Sequence, residues 1–399
     1  MNRVRTALVV GGGIAGPAAA MALRKIGVEA TVCEARPGRA DGVGVFLTLG
    51  SNGLDALRTL GADTGPLAAG FPTPGILLRS STGRELGVSA ISAAPQDGPV
   101  SRTVKRSDLY RAVYGEAAAQ GIRFEHGKRL VHAQDTGPSV RALFEDGSEA
   151  TADLLVGADG VHSTVRRLID PEAPSPVYGK LLNLGGYARG VKLDADPGSY
   201  VMIFGRKAFF GYVLSPDGEV WWFANVPRRD EPARAELEPV SAEAWLHRLK
   251  DLFADDAGPA VRILEATSPD DVMRASPLHL LPHLPRWHHG RMVVIGDAAH
   301  APSPSSGQGA SLAIEDAVEL ARCLRDVPDL PLARFEELRR PRVERIIKAA
   351  ARVNSSKAAG PVGRVFIDAF LPLILRLAAG GEQTRRTYAH HIDWTASAA

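Results

Sequence analysis

The segment from Ala7 to Glu34 leaves this chain few folds to choose from. Ala7 to Val10 is a short apolar run. It is followed at once by Gly11, Gly12, Gly13, Ile14, Ala15 and Gly16, and then by Ala18, Met21, Ala22 and Ile26 at helical spacing. A second apolar run, Ala30 to Cys33, ends in Glu34, which stands 18 residues beyond Gly16. The order is strand, tight turn, helix, strand. Glycines at these positions permit the turn and let a pyrophosphate approach the helix N-terminus, where free N–H groups and the dipole favour an anion. An acidic residue closing the second strand is placed for ribose hydroxyls. Glu34, in a position where a basic residue would suit a 2′-phosphate, fits an adenosine ribose with a free 2′-hydroxyl. FAD and NAD both qualify.

A second segment, Arg291 to Ala317, reads the same way at the other end of the chain. Met292 to Ile295 has the apolar texture of a strand buried in a parallel sheet. Gly296 permits close backbone approach, Asp297 offers a charged acceptor, and Ala301 to Gly309 is too rich in Pro, Ser and Gly for helix or strand. From Ala310 onward, Leu312, Ala313, Ala317, Leu320, Ala321 and Leu324 recur at helical spacing. A helix starting near Gln308 to Ser311 would aim its N-terminus at whatever the loop faces.

Between these anchors the texture changes twice. Ile76 to Arg79 and Glu85 to Val88 read as a hairpin around Ser81, Thr82 and Gly83. Arg106 to Leu109 opens a helix with Ser107 as its expected N-cap, and Arg106 there is equally a phosphate ligand or a surface arginine. Val140 to Phe144 and Glu149 to Thr151 form a second hairpin, leading to the buried strand Leu154 to Val156 and to Gly157, Ala158, Asp159 and Gly160. From Pro171 to Pro277 the reading is antiparallel sheet: Tyr200 to Phe204, Phe209 to Leu214 and Val220 to Val226, then the amphipathic helix Trp245 to Phe253. The expected class is α/β: a Rossmann-like domain binding FAD or NAD (1–70, 101–175 and 277–399, with C-terminal helices) interleaved with an antiparallel β-sheet domain (71–100 and 176–276).

Composition excludes several partners. A net charge of +2 with no block of like charge gives no nucleic-acid face. Cys33 and Cys323 make no disulfide framework, and no cluster of ligand residues suggests a metal. The N-terminus lacks the apolar run of a signal peptide, so the cytoplasm is the expected compartment. Phe366 to Ala379 is apolar but broken by Asp368, Pro372 and Arg376 and too short for a membrane span; it reads as a docking helix.

Taken together, Val10 to Arg36, Arg106 to Leu109, Asp153 to Arg166, Gly290 to Ala317 and Phe335 to Arg345 resemble the single-component FAD-dependent aromatic monooxygenases, the para-hydroxybenzoate hydroxylase-like group. Asp159, Gly160, Ser163 and Arg166 follow that family's DG motif, and Gly296 and Asp297 its GD motif. The resemblance implies that Gly11, Gly13 and Gly16 hold the FAD pyrophosphate, Glu34 the adenosine ribose, and that Arg36 lies near the adenine. Arg106 would approach the phosphates or ribityl chain, and Asp297 would bind ribityl hydroxyls. Asp159 would support the pyrophosphate region, and in this family it has been tied to nicotinamide use. Pro304, Gly307, Gln308 and Gly309 would line the flavin ring. Ala15, Ala35, Leu130, Gly296 and Ala310 complete the expected cofactor set.

The implied chemistry is reduction of bound FAD by transient NADH or NADPH, capture of O2 as the flavin C4a-hydroperoxide, and oxygen transfer to an aromatic or polycyclic small molecule. Tyr212, Trp222, Asn225 and His279 are the candidates for the substrate pocket, each equally readable as sheet core or surface; no catalytic acid or base is assigned. The chain would act as a monomer or homodimer. A flavin-dependent halogenase or an epoxidase shares the cofactor fold, but Trp222 to Pro227 has Ala224 where the halogenase motif has a second tryptophan, and no lysine between Gly65 and Arg84 is placed for hypohalous acid. A flavin- or ligand-binding protein without turnover would carry the same glycines.

Overall fold

The computed structural model describes residues 4–38, 44–93, 98–357, 371–372 and 381–399. The expected docking helix Phe366 to Ala379 lies, but for two residues, outside them. Strand Thr6–Val10 sits in the middle of a sheet, with Leu154–Gly157 and Glu29–Glu34 parallel on its two sides. Met292–Val294 and Arg123–His126 extend that sheet in parallel, and His288–His289 closes one edge antiparallel. Such strands must be apolar on both faces, and Leu154–Gly157 is buried at every position. Helix Ala15–Lys25 packs on Thr6–Val10 and Glu29–Glu34 and against the long helix Gly309–Asp326. The five parallel strands therefore end on one side, and Gly11, Ala158 and Ile295 are stitched there by Gly11 N to Cys33 O (2.9 Å), Ala158 N to Val10 O (2.8 Å) and Ile295 N to Gly157 O (2.9 Å). In an open parallel sheet that is the ligand side.

The second sheet has seven strands in the order Thr267–Leu280, Val177–Ala188, Val220–Pro227, Phe209–Leu214, Tyr200–Phe204, Gly75–Ser80 and Glu85–Ala90. It is antiparallel except where Tyr200–Phe204 runs beside Gly75–Ser80. The hairpin around Ser81 to Gly83 supplies two strands of this sheet. Its two longest strands, Val177–Ala188 and Thr267–Leu280, carry signals that argue against strand locally: Gly179, Gly185 and Gly186 in one, Pro269 and Pro277 in the other. Tertiary pairing overrides both. The prolines fall on an edge strand, where a missing N–H costs no ladder bond, and the register shifts along it.

One face of this sheet packs Phe210, Tyr212, Trp222 and Ala224 against Trp245, Leu249 and Phe253 of helix Ala242–Phe253 and Ile263 of the next helix. The opposite face gathers Ile76, Tyr200, Val213 and Trp221 with Phe71 and Tyr388.

Helix Arg106–Ala119 begins two residues earlier than a Ser107 cap would place it. Arg106 N donates to Val45 O (3.0 Å), Lys105 takes the cap position, and the Ser107 hydroxyl turns to Asp108 (3.4 Å) without capping. Among the described residues no helix is long and apolar enough to cross a membrane.

Candidate functional site

A cavity of about 1180 Å³ opens where the strand ends of the parallel sheet meet the open face of the seven-stranded sheet. It exceeds the roughly 300–1,000 Å³ typical of a pocket for one small molecule. Gly11, Gly13, Ala15, Glu34, Ala35, Arg36, Arg106, Leu130, Asp159, Asp297, Pro304, Gly307, Gln308, Gly309, Ala310 and Asn225 all line it. Residues separated by almost 300 positions in sequence are brought to one wall.

Two predicted glycines act from beneath. A Cβ on Gly16 would stand 1.9 Å from Gly11 O, so the helix can reach the turn only without a side chain there. Gly296, at φ 57°, lies under Ala313 and Ala15, with a built Cβ 3.0 and 3.3 Å from theirs. Gly11 itself has φ 107° and abuts Ala158 O, whereas Gly13 faces open space. A Gly16→Val variant is expected to purify without bound flavin and to unfold at a lower temperature, because Gly11 O cannot retreat from the sheet; flavin absorbance per chain and a melting curve check this.

Glu34 is held at the strand end by Gly12 N (2.7 Å) and Arg36 N (2.9 Å), one on each carboxylate oxygen. Asp159 accepts from the amides of Thr164 (2.7 Å) and Val165 (3.1 Å) and from the Ser163 hydroxyl. It takes the first two amides of helix Thr164–Ile169, whose N-cap is Ser163, while lining the cavity. Burial pushes its carboxyl above the usual range, and these hydrogen bonds oppose that. Arg166, 2% exposed, joins the two motifs: its guanidinium donates to Ala298 O (3.0 Å) and Val161 O (2.8 Å).

Asp297 opens onto the cavity but is surrounded by protein. Burial raises its pKa, opposed by His300 and Arg106. Beneath it runs a buried polar network. Asp316 accepts from Gly296 N (2.9 Å), pairs with His300 Nε2 (2.6 Å) and binds Arg339 Nε (2.8 Å). Glu315 binds Arg339 (2.7 Å) and Arg342 (2.8 Å) and accepts from Asn52 Nδ2 (2.6 Å), which also donates to Gln308 Oε1 (2.9 Å). Arg342 continues to the carbonyls of Arg386 and Thr387, both 2.8 Å away. His300 is thus a hydrogen-bonder of the core, turned away from the cavity.

Three substrate candidates are corrected. Tyr212 (2% exposed) and Trp222 (0%) lie on the far face of the sheet; Trp222 stacks on Phe210 and its Nε1 donates to Thr267 Oγ1 (3.0 Å). Strand side chains alternate, so Phe223 and Asn225 face the cavity because Trp222 and Ala224 do not. His279 pairs with Glu231 (2.7 Å) and packs edge-on against His162, which lines the cavity in its place. The aromatic wall consists instead of Phe46, Tyr200, Phe223 and Tyr388, with Met202 and Met273. None of the six is among the pocket candidates read from the sequence, although Phe223 belongs to the aromatic strands that could wall a substrate. Phe46 follows a glycine-rich stretch and Tyr388 stands near the C-terminus, and neither carries a local signal of a shared site.

The residues fit FAD. Helices Ala15–Lys25 and Gly309–Asp326 both point into the cavity with no side-chain cap and no acidic residue in the first turn, leaving N–H groups and positive dipole ends for an electron-rich ligand. Glu34 supplies the acceptor for ribose hydroxyls, and the glycine cradle between them has no room for side chains at Gly11 and Gly16.

Comparison with known proteins agrees. The family described as FAD binding domain matches residues 4–350. The chain is 32% identical over 355 residues to the aurachin C monooxygenase/isomerase of Stigmatella aurantiaca, covering 88% of each. It is 28% identical over 354 residues to the FAD-dependent urate hydroxylase of Klebsiella pneumoniae, covering 87% of this chain and 89% of that one. The crystal structure of Klebsiella pneumoniae HpxO complexed with FAD and uric acid superposes with a TM-score of 0.83 at 24% identity, over 95% of this chain and 96% of that one. The chain belongs to the FAD binding domain family and is an FAD-dependent monooxygenase of the para-hydroxybenzoate hydroxylase-like group.

Proposed function

We propose that the chain hydroxylates an aromatic or polycyclic molecule held against Phe46, Tyr200, Met202 and Phe223, at the end of the cavity that Pro304 to Ala310 shares. The observation that carries this reading is the continuity of one cavity from the glycine cradle and Glu34 to an aromatic wall on the second sheet. Parts 1–70, 101–175 and 277–399 would hold the cofactor, and 71–100 and 176–276 the substrate.

When bound, FAD supplies the redox chemistry: two electrons from NADH or NADPH let one oxygen atom of O2 enter the substrate while the other leaves as water. The chain's own residues bind and orient. The N–H groups before Ala15 and the Gly11 to Gly13 turn take the pyrophosphate, Glu34 accepts ribose hydroxyls, and Asp297 accepts from the ribityl chain. The amides at Gly309 and Ala310, at the positive end of an 18-residue helix, favour negative charge on the reduced ring. The apolar wall keeps water from the oxygen-transfer step and fixes the substrate's approach.

Anaerobic addition of NADH and of NADPH to the purified holoprotein, with and without aromatic compounds, tests the reading. The flavin absorbance is expected to bleach, faster with an aromatic bound, and aerobic turnover to yield a product one oxygen atom heavier. A flavin that neither nucleotide reduces under any condition overturns it and leaves a ligand-binding protein without turnover.

A further inference from the structure

The cavity face of the seven-stranded sheet is apolar along one rung and polar along the next. Met273, Gly185, Phe223, Gly211 and Met202 stand across five strands. Gly185 and Gly211 are there because other groups occupy their side-chain space: a Cβ on Gly185 would be 2.5 Å from Val45, and one on Gly211 would be 2.3 Å from the Phe223 ring. The adjoining rung sets Asn225 directly opposite Asn183, and Asn183 opposite Ser276. Asn225 is 6% exposed, and its Nδ2 donates to Asn183 Oδ1 at 2.7 Å. Both asparagines line the cavity.

Asparagine is a poor strand residue, and holding an amide pair here, with Asn225 buried and Asn183 half-buried, costs more than an apolar pair would. The fold does not require the pair for its backbone, which is already bonded in the ladder. What the pair adds is a donor aimed at the cavity: with Asn183 Oδ1 engaged, its Nδ2 makes no hydrogen bond among the described residues. A ligand that offers an acceptor there satisfies it, and one without an acceptor leaves it dry and unpaired. The donor is a neutral amide. The single cation that this sheet contributes to the cavity lining is Arg274, which is exposed to solvent. A buried carboxylate would find no compensating charge at the pair.

We propose that Asn183 and Asn225 read a neutral oxygen, a carbonyl or a hydroxyl, on the aromatic substrate. The proposal rests on the monooxygenase reading and narrows it.

The test uses the oxidised holoprotein titrated with fluorenone, fluorene and naphthoate, following the perturbation of the flavin absorbance. Fluorenone is expected to bind at least about tenfold more tightly than fluorene or naphthoate. Asn183→Leu and Asn225→Leu should each shrink that preference to about threefold or less, mainly by weakening fluorenone. FAD content per chain shows whether a variant has kept its fold, and Asn183→Ala serves if the leucine variant has not. Equal or tighter binding of fluorene or naphthoate by the wild-type protein overturns the proposal. So does a FAD-replete variant that keeps the full preference, or the absence of any perturbation by fluorenone at millimolar concentration. Reduction by NADH or NADPH without an aromatic reports on the monooxygenase reading separately, so the two can fail independently.

Discussion

An Arg339→Met variant is expected to lose about 3–5 kcal/mol of stability at neutral pH, the usual result of removing one partner from a buried ionic cluster. Arg339 is 2% exposed and bonds Glu315 at 2.7 Å and Asp316 at 2.8 Å, both carboxylates also buried. Burial alone would raise the pKa of each. For Glu315, Arg339 and Arg342 outweigh it and hold the carboxyl well below the ordinary range; for Asp316, His300 and Arg339 do the same. These depressed pKa values stabilise the wild-type fold above about pH 4, and that contribution fades as the pH falls through them. Without Arg339, Arg342 is left as the main group opposing the burial of Glu315 and His300 as the main group opposing that of Asp316, so both carboxyls should titrate higher in the variant than in the wild type. The difference in melting temperature between the two proteins should therefore narrow as the pH falls from neutral toward about pH 4. A difference that is constant or widens toward acid would mean that Arg339 acts through packing alone. Since Asp316 also holds Gly296 N, and Glu315 shares Asn52 with Gln308, the variant should lose FAD at temperatures where its fold still persists.

Asp297→Ala should raise the Kd for FAD about ten- to hundredfold, the range for a lost hydrogen bond to a charged group, and slow reduction by NADH or NADPH. Asp297 opens onto the cavity beside the start of helix Gly309–Asp326, where a Cβ on Gly309 would stand 3.9 Å from its Oδ1. Asp297→Asn keeps the shape and an acceptor, and should fall between the wild type and the alanine variant. Titration of the apoprotein with FAD and anaerobic stopped-flow reduction read the two effects. Full flavin occupancy with normal reduction in Asp297→Ala would remove Asp297 from the cofactor site.

Much of the cofactor end was legible locally, because its chemistry depends on short-range geometry. A strand that ends in a glycine turn and a helix, with an acid closing the next strand, can be read from Ala7 to Glu34, and the strand, loop and helix from Met292 to Leu324 likewise. Helix periodicity placed Gly309–Asp326 to within two residues. The errors lie where tertiary context overrides local preference. Ser107 was a reasonable cap by type, yet Val45 O, brought in from a distant loop, started the helix at Arg106. Strands Val177–Ala188 and Thr267–Leu280 exist because partner strands supply their hydrogen bonds, despite their glycines and prolines.

The substrate end shows the division most clearly. The sequence by itself determined that alternate residues of Phe209 to Leu214 and of Val220 to Val226 face opposite ways, since the strand period is two. It could not say which set meets the cavity, because both sets are aromatic. That choice was made by helix Ala242–Phe253, whose Trp245, Leu249 and Phe253 claim Phe210, Tyr212 and Trp222 for the core. Phe223 and Asn225 were left to the cavity, opposite Phe46 and Tyr388 from two other parts of the chain. A turn's chemistry is written in neighbouring residues; which face of a sheet becomes a binding wall depends on what packs against the other face, and only the folded chain decides that.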